Sequence, residues 1–271
     1  MKVLFIGDVV GRSGRQVVLD ELPGLRARLA LDFVVVNAEN AAAGFGLTPK
    51  ICEALFDVGT DCITTGNHVW DQKEILPYID GEPRVLRPLN YPAGTPGRGV
   101  GVYDAPRGRK VAVVNAMARV FMNPLDDPFA LVDAALAKAR LGTAAHFWLV
   151  DFHGEATSEK MAMGHFVDGR ASLVVGTHSH VPTADAQILP SGTAYQTDAG
   201  MCGDYNSVIG MDKEEPLRRF TRQIGAARFT PALGEATLCG VYVESDDRTG
   251  LATRVEPVRV GGRLKAAVPA D

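Results

Sequence analysis

Short apolar runs that stop abruptly at a glycine or a polar side chain recur along this chain, and they constrain its fold more than any other feature. Val3-Leu4-Phe5-Ile6 ends at Gly7-Asp8, Phe33-Val34-Val35-Val36 at Asn37-Ala38-Glu39-Asn40, and Cys62-Ile63-Thr64-Thr65 at Gly66-Asn67-His68. Apolar runs without alternation suit strands covered on both faces. Helical stretches separate them. One starts near Ser13 and runs towards Leu22, where Pro23 is expected to break or kink it. Thr48-Pro49 opens another, with threonine as cap and proline in the first turn, and Gly59 closes it. The order β-α-β-α-β predicts a parallel α/β sheet with right-handed crossovers. Ligands of such sheets gather beyond the carboxyl ends of the strands, where these polar residues fall.

Further along, 98–103 and 110–114 read as a hairpin, and Asp127-Pro128 opens a helix through Ala139. A strand over 146–150 delivers Asp151-Phe152-His153-Gly154. Thr157-Ser158-Glu159-Lys160 starts another helix, ahead of a strand over 171–175 and Gly176-Thr177-His178-Ser179-His180. Hairpins are expected about Pro190-Ser191-Gly192 and about 246–250. Between them 198–207 reads as a polar, glycine-broken loop. No repeat or linker interrupts the 271 residues, so the expectation is a single domain over 1–271.

The donors sort by type. Asp8 and Glu39 offer hard oxygens, Asn40 and Asn67 amide oxygens, and His153, His178 and His180 nitrogens. Two histidines two residues apart after a strand can aim their rings into one pocket. Seven donors exceed the need of one metal and suit two that share a bridging carboxylate. Two metals roughly 3.5–4 Å apart lower the pKa of a bridging water, aim it in line at phosphorus and neutralise the phosphate oxygens. Each residue alone has a plainer reading: Asp8 as a helix cap, Glu39 and Asn40 as turn ligands, Asn67 in a left-handed turn, His153 as a core histidine. That all of these hold at one end of one sheet is the less economical account. His146 and His165 carry no motif and read as ordinary residues.

A net charge of −4 without a Lys/Arg stripe argues against a broad nucleic-acid surface. No apolar run approaches the length of a membrane span. The four cysteines form no C-x-x-C pair, three of them sit in apolar stretches and read as reduced core residues, and Met1-Lys2 leads straight into a strand. These features set the expectation of a cytoplasmic protein. Gly7–Arg15 has the look of a phosphate loop but lacks both glycine-loop spacings.

The motifs resemble the calcineurin-like metallophosphoesterases, and more closely their YmdB-like branch. Asp8, Asn67-His68, His153 and His178-Ser179-His180 follow the superfamily's ligand order. Gly7-Asp8-Val9-Val10-Gly11, Asn37-Ala38-Glu39-Asn40, Thr65-Gly66-Asn67-His68-Val69-Trp70 and Asp198-Ala199-Gly200-Met201 are similar to the branch itself. Two positions depart from the wider superfamily. Asp8 is followed by Val9-Val10 where Asp-x-His is usual, and Glu39 stands where an aspartate usually bridges. The branch uses Asn40 in place of the lost histidine. The resemblance implies two mixed β-sheets packed as a sandwich and flanked by helices. It implies Asp8, Asn40 and His180 on one metal, Asn67, His153 and His178 on the other, Glu39 across both, and His68 as the proton donor to the leaving oxygen. Iron is the implied metal, with manganese or zinc as alternatives. The implied substrate is a small-molecule cyclic nucleotide, 2′,3′-cyclic AMP being an example. The loops 41–47 and 200–206 are candidate substrate contacts. A phosphomonoesterase or a nucleotide-sensing regulator remains open, as does homo-oligomerisation.

Overall fold

Parity within the first strand sets the layering. The computed structural model describes residues 1–270. In β1 (Lys2–Ile6), Val3 and Phe5 face one way, Leu4 and Ile6 the other, and all four are fully buried. The chain continues through β2 (Asp8–Val9), α1 (Gly11–Arg28), β3 (Phe33–Asn37), α2 (Pro49–Asp57), β4 (Cys62–Thr64) and α3 (Ile75–Ile79). Next come β5 (Val100–Ala105), β6 (Arg109–Met117), α4 (Pro128–Lys138), β7 (Phe147–His153), α5 (Thr157–Phe166) and β8 (Leu173–Thr177). The remainder is β9 (Gln187–Ile188), β10 (Ala194–Gln196), β11 (Met201–Asp204), α6 (Glu214–Arg222), β12 (Ala236–Ser245) and β13 (Ala252–Val260).

Two mixed sheets result. One runs β2-β11-β12-β1-β3-β4 with β13 alongside β12, and the other β5-β6-β7-β8-β10-β9. The expected parallel pairs β1–β3 and β3–β4 are present, while β12 lies antiparallel to β1. In the second sheet β6, β7, β8 and β10 are parallel, with antiparallel β5 and β9 at the edges. Val3, Phe5, Phe33 and Val35 pack against Val113, Phe147, Leu149 and Val175 between the sheets. Leu4, Ile6, Val34 and Val36 pack outward on Val18, Leu22 and Leu25 of α1. Val114, Trp148, Val150 and Val174 do the same on Val132 and Leu136 of α4 and Met163 of α5. The order helix, sheet, sheet, helix explains the missing alternation, since every central strand is covered twice. The sandwich is the expected one.

Four local expectations need correction. Pro23 does not end α1, which continues to Arg28. Pro23 and Gly24 are both exposed, so the missing hydrogen bond falls on the solvent side, where water substitutes. Buried Val18, Leu22 and Leu25 hold the helix on either side of it. The segment 198–207 is not a loop throughout, because Met201–Asp204 is a fully buried strand. β11 pairs parallel with β2 and antiparallel with β12, so its backbone polar groups are satisfied without an apolar sequence. The strand placed at 171–175 sits at Leu173–Thr177, and His153 closes β7 rather than following it.

Candidate metal centre

The carboxyl ends of β1, β3, β4, β7 and β8 come to one rim between the sheets, and all seven expected donors meet there. Asp8, Glu39 and His153 have no measurable exposure, and Asn40 and His180 are buried. Two groups of potential ligands share one residue: Glu39 with His153 and His178, and Asp8 with Glu39 and His180. Within each group the donor atoms lie within 4.8 Å of one another. A Cβ at Gly66 would collide with Glu39 Oε2 and His153 Nε2, so glycine lets this chain segment approach the cluster. His178 and His180 both have left-handed backbones, at φ +94° and +65°. Strain of this kind persists where surrounding contacts over-determine it, commonly at functional sites.

Hydrogen bonds fix which imidazole nitrogen faces inward. Thr177 Oγ1 donates to Asp151 Oδ1 at 2.7 Å. Its single proton is thereby used, so at 2.9 Å it must accept from His153 Nδ1. His180 Nδ1 donates to the carbonyl of Ile209 at 2.7 Å. His178 Nε2 lies 3.2 Å from Glu155 Oε2, which turns its Nδ1 inward. His153 Nε2 then sits 2.9 Å from Asn67 Oδ1, 3.2 Å from His178 Nδ1 and 3.3 Å from Glu39 Oε1. Lone pairs converge there, and a cation among them reconciles the contacts.

The electrostatics agree. Burial pushes the Asp8 carboxyl well above its ordinary range, against the pull of His153. Burial would also raise Glu39, but His153 holds it below the usual carboxylate range. Burial disfavours a charged His153, yet Glu39, Asp8 and Asp151 push it up to about 9. His178 drops to about 3 through burial and the neighbouring His153. A buried acidic cluster that draws a proton onto its central imidazole is a cluster that calls for positive charge. Mixed carboxylate, amide and imidazole donors around a shared glutamate fit two cations.

His68 stands at the edge of this cluster. Its backbone N–H donates to Glu39 Oε2 at 3.2 Å. Its Nδ1 pairs with Asp71 Oδ2 at 2.9 Å, which leaves Nε2 free, and Phe45 meets the ring edge-on at 5.0 Å. Asn40 Nδ2 contacts Glu39 Oε1 at 2.9 Å and His180 Nε2 at 3.1 Å. A half-turn of that amide would present its oxygen instead.

Sequence reasoning missed a supporting layer. Asn37 Nδ2 reaches from β3 across to Asp151 Oδ2 at 3.0 Å, tying the two sheets behind the donors. Asp198 accepts from Lys160 Nζ at 2.8 Å, from the Ser179 N–H at 3.0 Å and from the Gly200 N–H at 2.8 Å. Both members of that ion pair are buried, directly behind the turn that carries His178 and His180. Strand parity could have revealed Asp151, because it shares a face with His153. Of the expected contact loops, 41–47 supplies Phe45 to the cleft above the donors, but 200–206 is largely buried strand. The cleft wall comes instead from 208–211 and α6.

Known proteins resemble this chain in sequence and fold. The family described as YmdB-like protein matches residues 4–258. A Bacillus subtilis (strain 168) protein named 2′,3′-cyclic-nucleotide 2′-phosphodiesterase is 49% identical over 260 residues, covering 96% of this chain and 97% of that one. A crystal structure of a hypothetical protein from Thermus thermophilus superposes with a TM-score of 0.90 at 42% identity, over 97% of this chain and all of the other (100%). The structure of a novel phosphatase from Mycoplasma pneumoniae gives 0.89 at 35% identity, over 96% and 93%.

Proposed function

The chain belongs to the YmdB-like family, and from that footing we propose that it is a dimetal-dependent phosphodiesterase that opens 2′,3′-cyclic nucleotides to nucleoside monophosphates. The observation that carries the reading is Glu39, common to both donor groups. The activity named for the Bacillus subtilis relative, at 49% identity, supports the substrate class.

In this reading Asp8, Asn40 and His180 hold one cation, Asn67, His153 and His178 the other, and Glu39 both. When bound, the pair supplies the Lewis acidity that makes a water nucleophilic and offsets charge on the phosphate. The protein's own groups prepare that site. Thr177 and Asp151 keep the Nδ1 proton on His153, and the Ile209 carbonyl keeps the Nδ1 proton on His180. Each ring therefore offers Nε2 inward. Asp71 holds His68 through Nδ1, so its Nε2 can carry a proton to the departing ribose oxygen. Oxygen and nitrogen donors without thiolate suit iron, the metal we propose, and also manganese or zinc.

We place the protein in the cytoplasm as a single domain. All four cysteines are free and buried. Among the described residues no helix is long and apolar enough to cross a membrane. The test of the activity is hydrolysis of 2′,3′-cyclic AMP by metal-loaded protein, with Glu39→Gln expected to abolish turnover while circular dichroism stays native. Undiminished turnover in that variant would refute the shared-ligand role.

A further inference from the structure

Above the donors opens a cleft of about 420 Å³, within the roughly 300–1,000 Å³ usual for small-ligand sites. Its floor holds Glu39, His178 and His180, with His68 at one side. Its lining also includes side chains of another character: Phe45, which meets His68 edge-on, and Ile209, Phe220 and Phe229. The polar Asn40, Ser179 and Glu155 line it too, Glu155 paired with His178 Nε2. None of the four apolar side chains carries a hydrogen-bonding atom. Phe220 is 77% exposed and Ile209 54%, so neither serves the core.

Ile209 is the telling residue. Val208 and Met211 close a tight turn, exchanging backbone hydrogen bonds at 2.9 and 3.0 Å. Both central residues have positive φ, Ile209 at +46° and Gly210 at +92°. Such turns favour Asn-Gly, and a β-branched residue at the first position is a genuine outlier. Packing does not explain the choice, because the side chain is in solvent at the cleft mouth. The Ile209 carbonyl holds His180, so the strained turn sets both a metal-site histidine and an apolar wall.

Resting on the phosphodiesterase reading, we infer that Phe45, Ile209, Phe220 and Phe229 form the nucleobase subsite. The base is held there by stacking and apolar burial, without readout of its hydrogen-bonding edge. The floor takes the phosphate, so the ring carried by the ribose extends to the adjoining wall. Aromatic faces accept any base, since every base has a π-face. The subsite therefore favours purines over pyrimidines by area and separates adenine from guanine little.

Binding tests this apart from turnover. Metal-loaded protein is titrated calorimetrically with adenosine 3′-monophosphate, guanosine 3′-monophosphate and inorganic phosphate. The adenosine nucleotide should bind at least about tenfold more tightly than phosphate, and Phe220→Ala should cut that preference by about 5- to 30-fold. Phe220→Trp should restore it. Ile209→Asn suits the left-handed backbone, so it should keep or raise the melting temperature while also lowering the preference. A wild-type preference near one, or one that Phe220→Ala leaves intact, overturns the subsite. Discrimination between adenine and guanine beyond about 100-fold overturns the absence of edge readout, because hydrogen-bonding sites reject misfits by larger factors. Failure to hydrolyse any cyclic nucleotide sinks the phosphodiesterase reading and leaves these affinities to be judged separately.

Discussion

Thr177→Val isolates the proton chain behind the metal centre. Valine matches threonine in shape, so the substitution opens no cavity and changes only hydrogen bonding. Two buried groups lose a partner: Asp151 Oδ1, which accepts from Thr177 at 2.7 Å, and His153 Nδ1, which donates to it at 2.9 Å. Asp151 keeps Asn37 at 3.0 Å on its other oxygen, so it is not stripped bare. An unsatisfied buried group costs about 1–3 kcal/mol, and the loss here should be at least about 2 kcal/mol in urea unfolding. His153 would also lose its reason to keep Nε2 unprotonated. Outer partners of metal-binding histidines are typically worth about 10–100-fold in metal affinity. The assay is competition with a chelator, followed by elemental analysis of the protein. Half-loss of metal should occur at roughly 10–100-fold less free chelator than in the wild type. Thr177→Ser should recover most of the difference. Wild-type metal retention in Thr177→Val would refute the chain, whatever happened to stability.

Other perturbations separate the remaining roles. His68→Ala should lower kcat by about 10²–10⁴ with metal content retained, as expected for a lost proton donor; release of both metals would make it a ligand instead. Lys160→Met leaves the buried Asp198 carboxylate without its cation, and should cost about 3–5 kcal/mol in denaturant unfolding; an unchanged midpoint would show the pair to be dispensable. Chelation should lower the melting temperature, because a cation that binds only the folded cluster stabilises it by mass action. Manganese should restore that temperature, and a midpoint indifferent to chelator would argue against a buried cation site.

What the sequence discloses and what it hides divide by a physical rule. The donors are legible because strand ends are marked twice, by the halt of an apolar run and by the first polar residue beyond it. Asp8 and Asn67 carry that double mark, and Glu39 and His178 follow within two residues of the first polar side chain, Asn37 and Thr177. The supporting layer lies inside elements, where only facing matters. Asp151 sits within a fully buried strand, and its role follows from parity with Leu149 and His153 on the inter-sheet face. Parity says which face, but not which partner, because the opposite sheet is joined through residues such as Asn37, 114 positions away. Lys160 lies in the first turn of a helix, where a lysine ordinarily reaches solvent, yet it is 1% exposed and reaches Asp198 beneath the His178 turn. β11 reads as loop because its cover comes from pairing on both edges rather than from apolar composition. The chemistry at strand ends can thus be read from one dimension. The layer that fixes ring tautomers depends on the register between His153 and Thr177 on neighbouring strands, and only the packed sheets specify it. Thr177→Val probes that layer directly, since it removes one hydroxyl from the pairing and moves none of the donors.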